Sequence, residues 1–152
     1  MKVNQYPIEA VVPHDHPMIL IDELLSYNQS KANCQVSIHV GSNFYNAQKQ
    51  SVPSYVAIEY MAQSIAAFAN ANEKDEGGEV AIGFLVSSRK FKVFVSEFYL
   101  GEQLQVSVEQ LYVEDSGLSA FDCLITCDDK VLATAKINIF QPSDANAFLA
   151  EQ

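Results

Sequence analysis

Glu59 is the residue out of place in this sequence. It stands in Tyr55-Val56-Ala57-Ile58-Glu59-Tyr60-Met61-Ala62-Gln63, inside the most apolar helical stretch of the chain. Carboxylates are almost never fully buried without a partner. Desolvation there raises the pKa toward the range useful for general acid and base work. The other reading is a carboxylate at a seam between subunits, bonded to a backbone amide or a lysine. His14 and His16 flank Asp15 between Pro13 and Pro17; a histidine in a rigid turn either carries a proton near neutral pH or simply faces water. His39 is expected at the surface. Arg89, Lys90 and Lys92 hold three of the nine basic residues within four positions. Such a cluster suits a phosphate or an acidic protein partner, or is a solvated strand face. No glycine-rich phosphate loop, nucleophile elbow or metal-ligand spacing occurs, so neither a metal nor a cofactor is expected.

These residues need elements to position them. The apolar run Met18–Ile21 reads as strand or short helix. Residues 32–40 alternate, with Cys34, Val36, Ile38 and Val40 on one face of a half-buried strand. Residues 41–53 form a polar loop long enough to carry function. Residues 54–72 form the one long helix, with Ser54 as its cap after Pro53. Val56, Ile58, Met61, Ala62, Ile65, Ala66, Phe68 and Ala69 leave it almost no polar face, so it is buried on most sides. Strands follow over 80–87, 91–98, 104–113, 119–127 and 131–140, the last two joined by the tight turn Asp128-Asp129-Lys130. One apolar helix beside one long antiparallel sheet must be wrapped by that sheet to hide its flanks. That is an α+β hotdog fold, with residues 1–152 as a single domain. Its exposed sheet edges predict pairing between subunits.

Composition narrows the partners. With 152 residues, 49% of them hydrophobic and 18% charged, the chain is an ordinary globular mix rather than a disordered one. A net charge of −10 argues against nucleic acid and anionic membrane as partners. Three scattered cysteines, no apolar leader and no membrane-length apolar run predict a cytoplasmic protein with reduced thiols.

Three segments taken in order resemble a known family. Val12-Pro13-His14-Asp15-His16-Pro17-Met18-Ile19-Leu20-Ile21-Asp22 is similar to the Leu-Pro-His-x-x-Pro-Met/Phe-Leu-Leu-Val-Asp segment of the 3-hydroxyacyl-[acyl carrier protein] dehydratases. Val56-Ala57-Ile58-Glu59-Tyr60-Met61-Ala62-Gln63 resembles their Glu-Ala-Met-Ala-Gln helix, and Ser88-Arg89-Lys90-Phe91-Lys92 their Ala-Arg-Phe-Lys strand. The order and spacing agree over residues 10–140. The match is closer to the dehydratase-like subfamily of aryl-polyene lipid pathways, with Pro-His-x-x-Pro-Met, Leu-Met-Ala-Gln and a final Thr-Phe-Gln-Pro resembling Ile139-Phe140-Gln141-Pro142.

The resemblance implies loss of water from a 3-hydroxyacyl thioester to give a trans-2-enoyl thioester, with the acyl chain in a tunnel at a dimer interface. The family pairs a loop histidine with the helix carboxylate and binds the thioester oxygen at backbone amides of the helix start. This chain departs from that pattern: Asn43-Phe44-Tyr45-Asn46-Ala47-Gln48-Lys49 has neither histidine nor glycine, and ungapped alignment puts Tyr45 at the histidine position. Glu59 and His14 are therefore the candidate catalytic pair, with Tyr45 or no partner as alternatives. Pro13, Tyr45, Ser54, Tyr55 and Gln63 are the candidate substrate-binding residues, and Arg89, Lys90 and Lys92 the carrier-protein dock. Expected partners are an acyl-carrier-protein or coenzyme A thioester, and a homodimer, higher homo-oligomer or hetero-oligomer with a related dehydratase. A hotdog thioesterase and a non-catalytic acyl-binding subunit of a dehydratase complex are the rival functions.

Overall fold

Alternation of apolar and polar residues builds one face of the sheet as a core. The computed structural model describes residues 1–13, 18–79 and 84–141. In chain order these form β1 (Lys2–Val3), α1 (Ile8–Val11), β2 (Glu23–Tyr27), β3 (Lys31–Ser37), β4 (Ser51–Pro53), a 3-10 turn at Ser54–Val56, α2 (Ala57–Asp75), β5 (Phe84–Val93), β6 (Glu97–Tyr99), β7 (Gln103–Val113), β8 (Leu118–Cys127) and β9 (Lys130–Phe140). Seven strands make one antiparallel sheet in the order β1-β2-β3-β7-β8-β9-β5, and β4 pairs with β6 in a separate ribbon. Cys34 and Val36 of β3, Val106 of β7, Ile125 of β8 and Ile137 of β9 all turn inward and are buried. Against them lie Met61, Ile65 and Phe68 of α2, with Phe68 edge-on to Phe121 at 5.7 Å. This is the hotdog architecture: one long helix with an antiparallel sheet curled around it. Among the described residues no helix is long and apolar enough to cross a membrane.

The hairpin from β8 to β9 turns on Asp128 and Asp129, both at positive φ (50° and 65°), which matches the right-handed twist of the strands. Other boundaries differ from expectation. The helix entry is a 3-10 turn, and Ser54 makes no side-chain cap: its N–H donates to the Ser96 carbonyl at 3.1 Å. Residues 18–21 form no regular element, because Gln63 takes backbone groups that a strand partner would otherwise take. β3 stops at Ser37, since the Ser42 hydroxyl accepts the His39 N–H and turns the chain; Val40 is consequently 74% exposed. The two strands expected over 80–98 are instead one, β5, followed by the short β6. Between Arg89 and Lys92 one extra residue bulges against β9, with Lys90 at φ 53°. A bulge flips the alternation beyond it, so Val93 faces outward, 40% exposed. Val80 and Pro142 lie outside the described residues.

Polar residues on α2 tie the N-terminal segment down. The Asn70 amide donates to the Val11 carbonyl at 2.9 Å. The Gln63 side chain accepts the Leu20 N–H at 2.7 Å and donates to the Met18 carbonyl at 2.8 Å. At the last turn, Asp75 accepts from Tyr6 (2.5 Å), Tyr27 (2.7 Å) and Lys2 (3.0 Å).

Hydrogen bonds from Tyr6, then Tyr27 and Lys2, hold the Asp75 carboxyl below its ordinary 3.8, at about 2. A depressed carboxylate stabilises the fold fully above its unfolded pKa and loses that contribution as pH falls through its folded one. Asp75→Asn is therefore expected to lower the urea midpoint at pH 7. Its deficit against the parent should close between about pH 4 and pH 2, because only there does the parent's own carboxyl protonate. Urea titrations of both proteins across that window check it.

Candidate active site at the open flank of the central helix

The sheet and the N-terminal segment leave one line of α2 uncovered. Tyr55, Glu59, Ala62, Ala66, Ala69 and Glu73 recur at spacings of three and four, so they share one helix face. Along it Tyr55, Glu59 and Glu73 are exposed and the three alanines half-buried, whereas Tyr60, Met61, Ser64, Ile65, Ala67 and Phe68 around the rest of the helix are buried. Glu59 sits in the first turn of α2. Its expected burial is thus not met within the single chain; it lies at the surface, on the only stripe of the helix that the chain's described residues leave open. The positive end of the helix dipole at this first turn favours its negative charge.

Gln63 is one turn beyond Glu59, and the segment it holds, Met18–Leu20, borders the open stripe. The amide is only 1% exposed and both its ends are taken. Its place is that of a positioning residue for the segment that follows His14, rather than of a group presented to substrate. Pro13 is half-buried at the other end of that segment. His14 itself lies outside the described residues, with Asp15, His16 and Pro17.

Tyr45 belongs to a loop pinned from both sides. Its N–H donates to the Ser42 carbonyl at 3.1 Å, and the Asn46 carboxamide oxygen accepts the N–H groups of Gln48 (2.9 Å) and Lys49 (3.1 Å). Asn46 also bridges to Ser51 at the start of β4. Tyr45 packs half-buried on the core. Phe44 before it is held at φ 66° with its ring 58% exposed, a left-handed conformation costly for any residue but glycine. Ser54 is buried at the helix entry, and Tyr55 projects, 69% exposed.

Arg89, Lys90 and Lys92 are all exposed along β5, the edge strand of the sheet. None of them forms an ion pair with another described residue. Among the described residues no cluster of histidine, cysteine and carboxylate groups could hold a metal. Burial pushes the thiols of Cys34 and Cys123 up to about 12, so both are inert core groups.

Two features escaped sequence reasoning. Asp22, His39, Ser42 and Tyr60 line a cavity of about 230 Å³. There burial, with the Asp22 charge second, raises the Tyr60 phenol to about 12. At the helix entry the Ser51 hydroxyl and one Glu97 carboxylate oxygen are buried without a partner among the described residues, while the other Glu97 oxygen meets Lys49 at 3.2 Å. Neither carries a sequence signal: the cavity gathers side chains from the segment before β2, the end of β3 and α2, and the buried pair arises where β4 meets β6.

A curled sheet, one wrapped helix and a carboxylate in the helix's first turn on an open flank define a hotdog protein of dehydratase type. The chain belongs to the ApeP-like family, described as ApeP dehydratase, whose model matches residues 6–150. Its sequence is 24% identical over 142 residues to the 3-hydroxyacyl-[acyl-carrier-protein] dehydratase FabZ of Acinetobacter baylyi, covering 90% of this chain and 93% of that one. It is 29% identical over 140 residues to FabZ of Dichelobacter nodosus, covering 86% and 90%. The fold is similar to the dehydratase heterocomplex ApeI:P from Xenorhabdus doucetiae, with a TM-score of 0.88, 24% identity, and 98% and 99% of the two chains covered. A hypothetical thioesterase with coenzyme A from Streptococcus pneumoniae is more distant, at TM-score 0.60, 12% identity, and 78% and 84% coverage. The expected dehydratase-like family and the hotdog fold are therefore both met.

The strain at Phe44 is testable. Phe44→Gly relieves a left-handed cost of about 1–2 kcal/mol while gaining unfolded-state freedom of about 1 kcal/mol, so it is expected to be neutral or slightly stabilising. Phe44→Val, which burdens the same φ with a branched side chain, is expected to lose about 1–2 kcal/mol. Chemical denaturation of the two variants separates them.

Proposed function

We propose that the chain acts on 3-hydroxyacyl thioesters of an acyl carrier protein, in the cytoplasm, removing water to give the trans-2-enoyl thioester. The observation that carries this is Glu59 in the first turn of α2, exposed on the stripe that the described residues leave uncovered. The reaction needs a base to take the proton from C2, an acid to protonate the leaving hydroxyl at C3, and donors for the thioester oxygen as charge builds on it. Glu59 supplies a carboxyl for the proton leaving or joining. The Ser54 N–H is taken by the Ser96 carbonyl, so the donor for the thioester oxygen is the next backbone N–H of the helix entry, at Tyr55. His14 supplies the second proton carrier. It stands four residues before Met18, which Gln63 holds one turn from Glu59, and four residues span at most roughly 14 Å.

The second subunit that covers the open stripe is another hotdog chain, either a copy of this one or a related dehydratase; the similar ApeI:P structure is a heterocomplex. Arg89, Lys90 and Lys92, unpaired in a chain of net charge −10, form the dock for the acidic carrier. A non-catalytic subunit role is the second reading, favoured by the pinned loop that presents Tyr45 where the family's histidine would stand. A phenol near pKa 10 is a poor base.

The assay is incubation with a 3-hydroxyacyl-carrier protein and mass analysis of the acyl group. Loss of one water is the expected product; free acid would indicate a thioesterase, and no change a non-catalytic subunit. Glu59→Gln and His14→Ala are each expected to lower dehydration by about 10²–10⁴-fold with folding and assembly intact. Full activity in His14→Ala removes that residue from the mechanism. Charge is tested apart from chemistry: Arg89→Glu with Lys92→Glu should weaken carrier binding and flatten its dependence on salt. Unchanged binding would make the cluster a solvated strand face.

A further inference from the structure

Tyr60 lies almost wholly inside the protein, 2% exposed, with its ring 6.0 Å from that of Phe98. Its hydroxyl nevertheless bonds no other described residue. A buried polar group without a partner is rare in a folded protein and marks a place where one is missing. Tyr60 lines the cavity of about 230 Å³ beside the end of β3. Burial keeps its phenol protonated at neutral pH, so it is a hydrogen-bond donor there.

Two further groups line the same cavity from exposed positions. The Ser37 N–H occupies one oxygen of Asp22 at 2.6 Å, and no other described residue bonds that carboxylate. The His39 ring is locked: its Nδ1 accepts the Gly41 N–H at 3.0 Å. A Cβ on Gly41 would stand 3.1 Å from that ring, so the missing side chain lets the two meet. With Nδ1 an acceptor, the ring hydrogen is on Nε2, which is a second donor. The Ser42 hydroxyl is already used, accepting the His39 N–H and donating to the Ser37 carbonyl. Ile19, Leu20 and Val36 supply an apolar wall.

Two donors, one carboxylate oxygen and an apolar wall have a specific complement. A ligand carboxylate accepts from Tyr60 and His39, a ligand ammonium donates to Asp22, and a short branched hydrocarbon covers the wall. The volume equals about eight waters, which suits one small molecule. The geometry points to this cavity as a binding site for a small apolar α-amino acid, of the size of valine or leucine. The site shares no residue with the proposed dehydration chemistry. Leu20 of its wall is the residue whose N–H Gln63 accepts, so an occupant rests on the segment that borders the Glu59 stripe.

Leucine and two fragments of it separate the contacts. Leucine, 3-methylbutylamine and 4-methylpentanoate are titrated calorimetrically into the full-length protein. Each fragment lacks one head group and is expected to bind about tenfold or more weakly than leucine, the worth of a charge-assisted hydrogen bond. Asp22→Asn keeps an oxygen for the Ser37 N–H. It should weaken leucine and the amine about tenfold and spare 4-methylpentanoate. Tyr60→Phe keeps the ring beside Phe98. It should weaken leucine and 4-methylpentanoate, spare the amine, and leave the urea midpoint no lower than the parent's. Four outcomes overturn the site: no saturable binding of leucine, leucine no tighter than either fragment, affinities unmoved by both variants, or a lowered midpoint in Tyr60→Phe, which would show that the hydroxyl already has a partner.

Discussion

A single sheet cannot close around a cylinder. Seven strands curl over α2, and the N-terminal segment covers part of what remains, yet one line of the helix stays uncovered. The candidate active site is arranged relative to that line. Glu59 lies at its start, the N-terminal segment borders it on one side, and the unpaired edge strand β5 carries the exposed Arg89, Lys90 and Lys92. A buried helix gives a carboxylate no purpose. A partly buried one gives it a boundary between core and whatever next covers the flank.

The polar residues of α2 follow from the same constraint. A helix with Gln63, Asn70, Asn72 and Asp75 among its alanines looks flawed as a core element, yet each makes a bond that the sheet cannot. Asn72 donates to the Asn28 carbonyl, Asn70 to Val11, and Gln63 both accepts from Leu20 and donates to Met18. These segments have no neighbouring strand to satisfy their backbone, and a buried unpaired amide or carbonyl costs about 1–3 kcal/mol. Side chains on the helix serve as the missing ladder. They also fix the register of Met18 and Leu20 against the helix, one turn from Glu59.

How much of this could be read beforehand depended on locality. The alternation of Cys34 and Val36, the apolar spacing of Met61, Ile65 and Phe68, and the Asp128-Asp129 turn are local signals, and each element lies where they put it. The bulge at Lys90 leaves no such trace, because the extra residue is defined only against β9. Ser54 resembles a helix cap, but its N–H is taken by Ser96, far along the chain. Gln63 shares its motif with Glu59 and so seemed to share its task; only the positions of Met18 and Leu20 separate the two. The burial of Glu59 was inferred from its apolar neighbours, a sound inference for the helix as a whole and unmet at the one stripe the chain leaves open.

The loop before α2 holds a strained backbone in place by its own hydrogen bonds. Phe44 occupies a φ that suits glycine, at the position next to the one where related dehydratases carry their histidine, and a set of hydrogen bonds from Ser42 to Ser51 keeps it there. The loop therefore spends strain to hold a shape while offering a half-buried phenol in place of an imidazole. Such strain persists only where the surroundings overdetermine it, and here they do so around an exposed aromatic ring. Helix and loop offer different chemistry: Glu59 presents a group able to move a proton, and the loop presents a strained backbone and a half-buried phenol. Under the reading proposed above, the division of labour between them has shifted. The loop shapes the surface offered to a second subunit, and the proton chemistry falls to Glu59 on the stripe whose border Gln63 fixes by holding Met18 and Leu20.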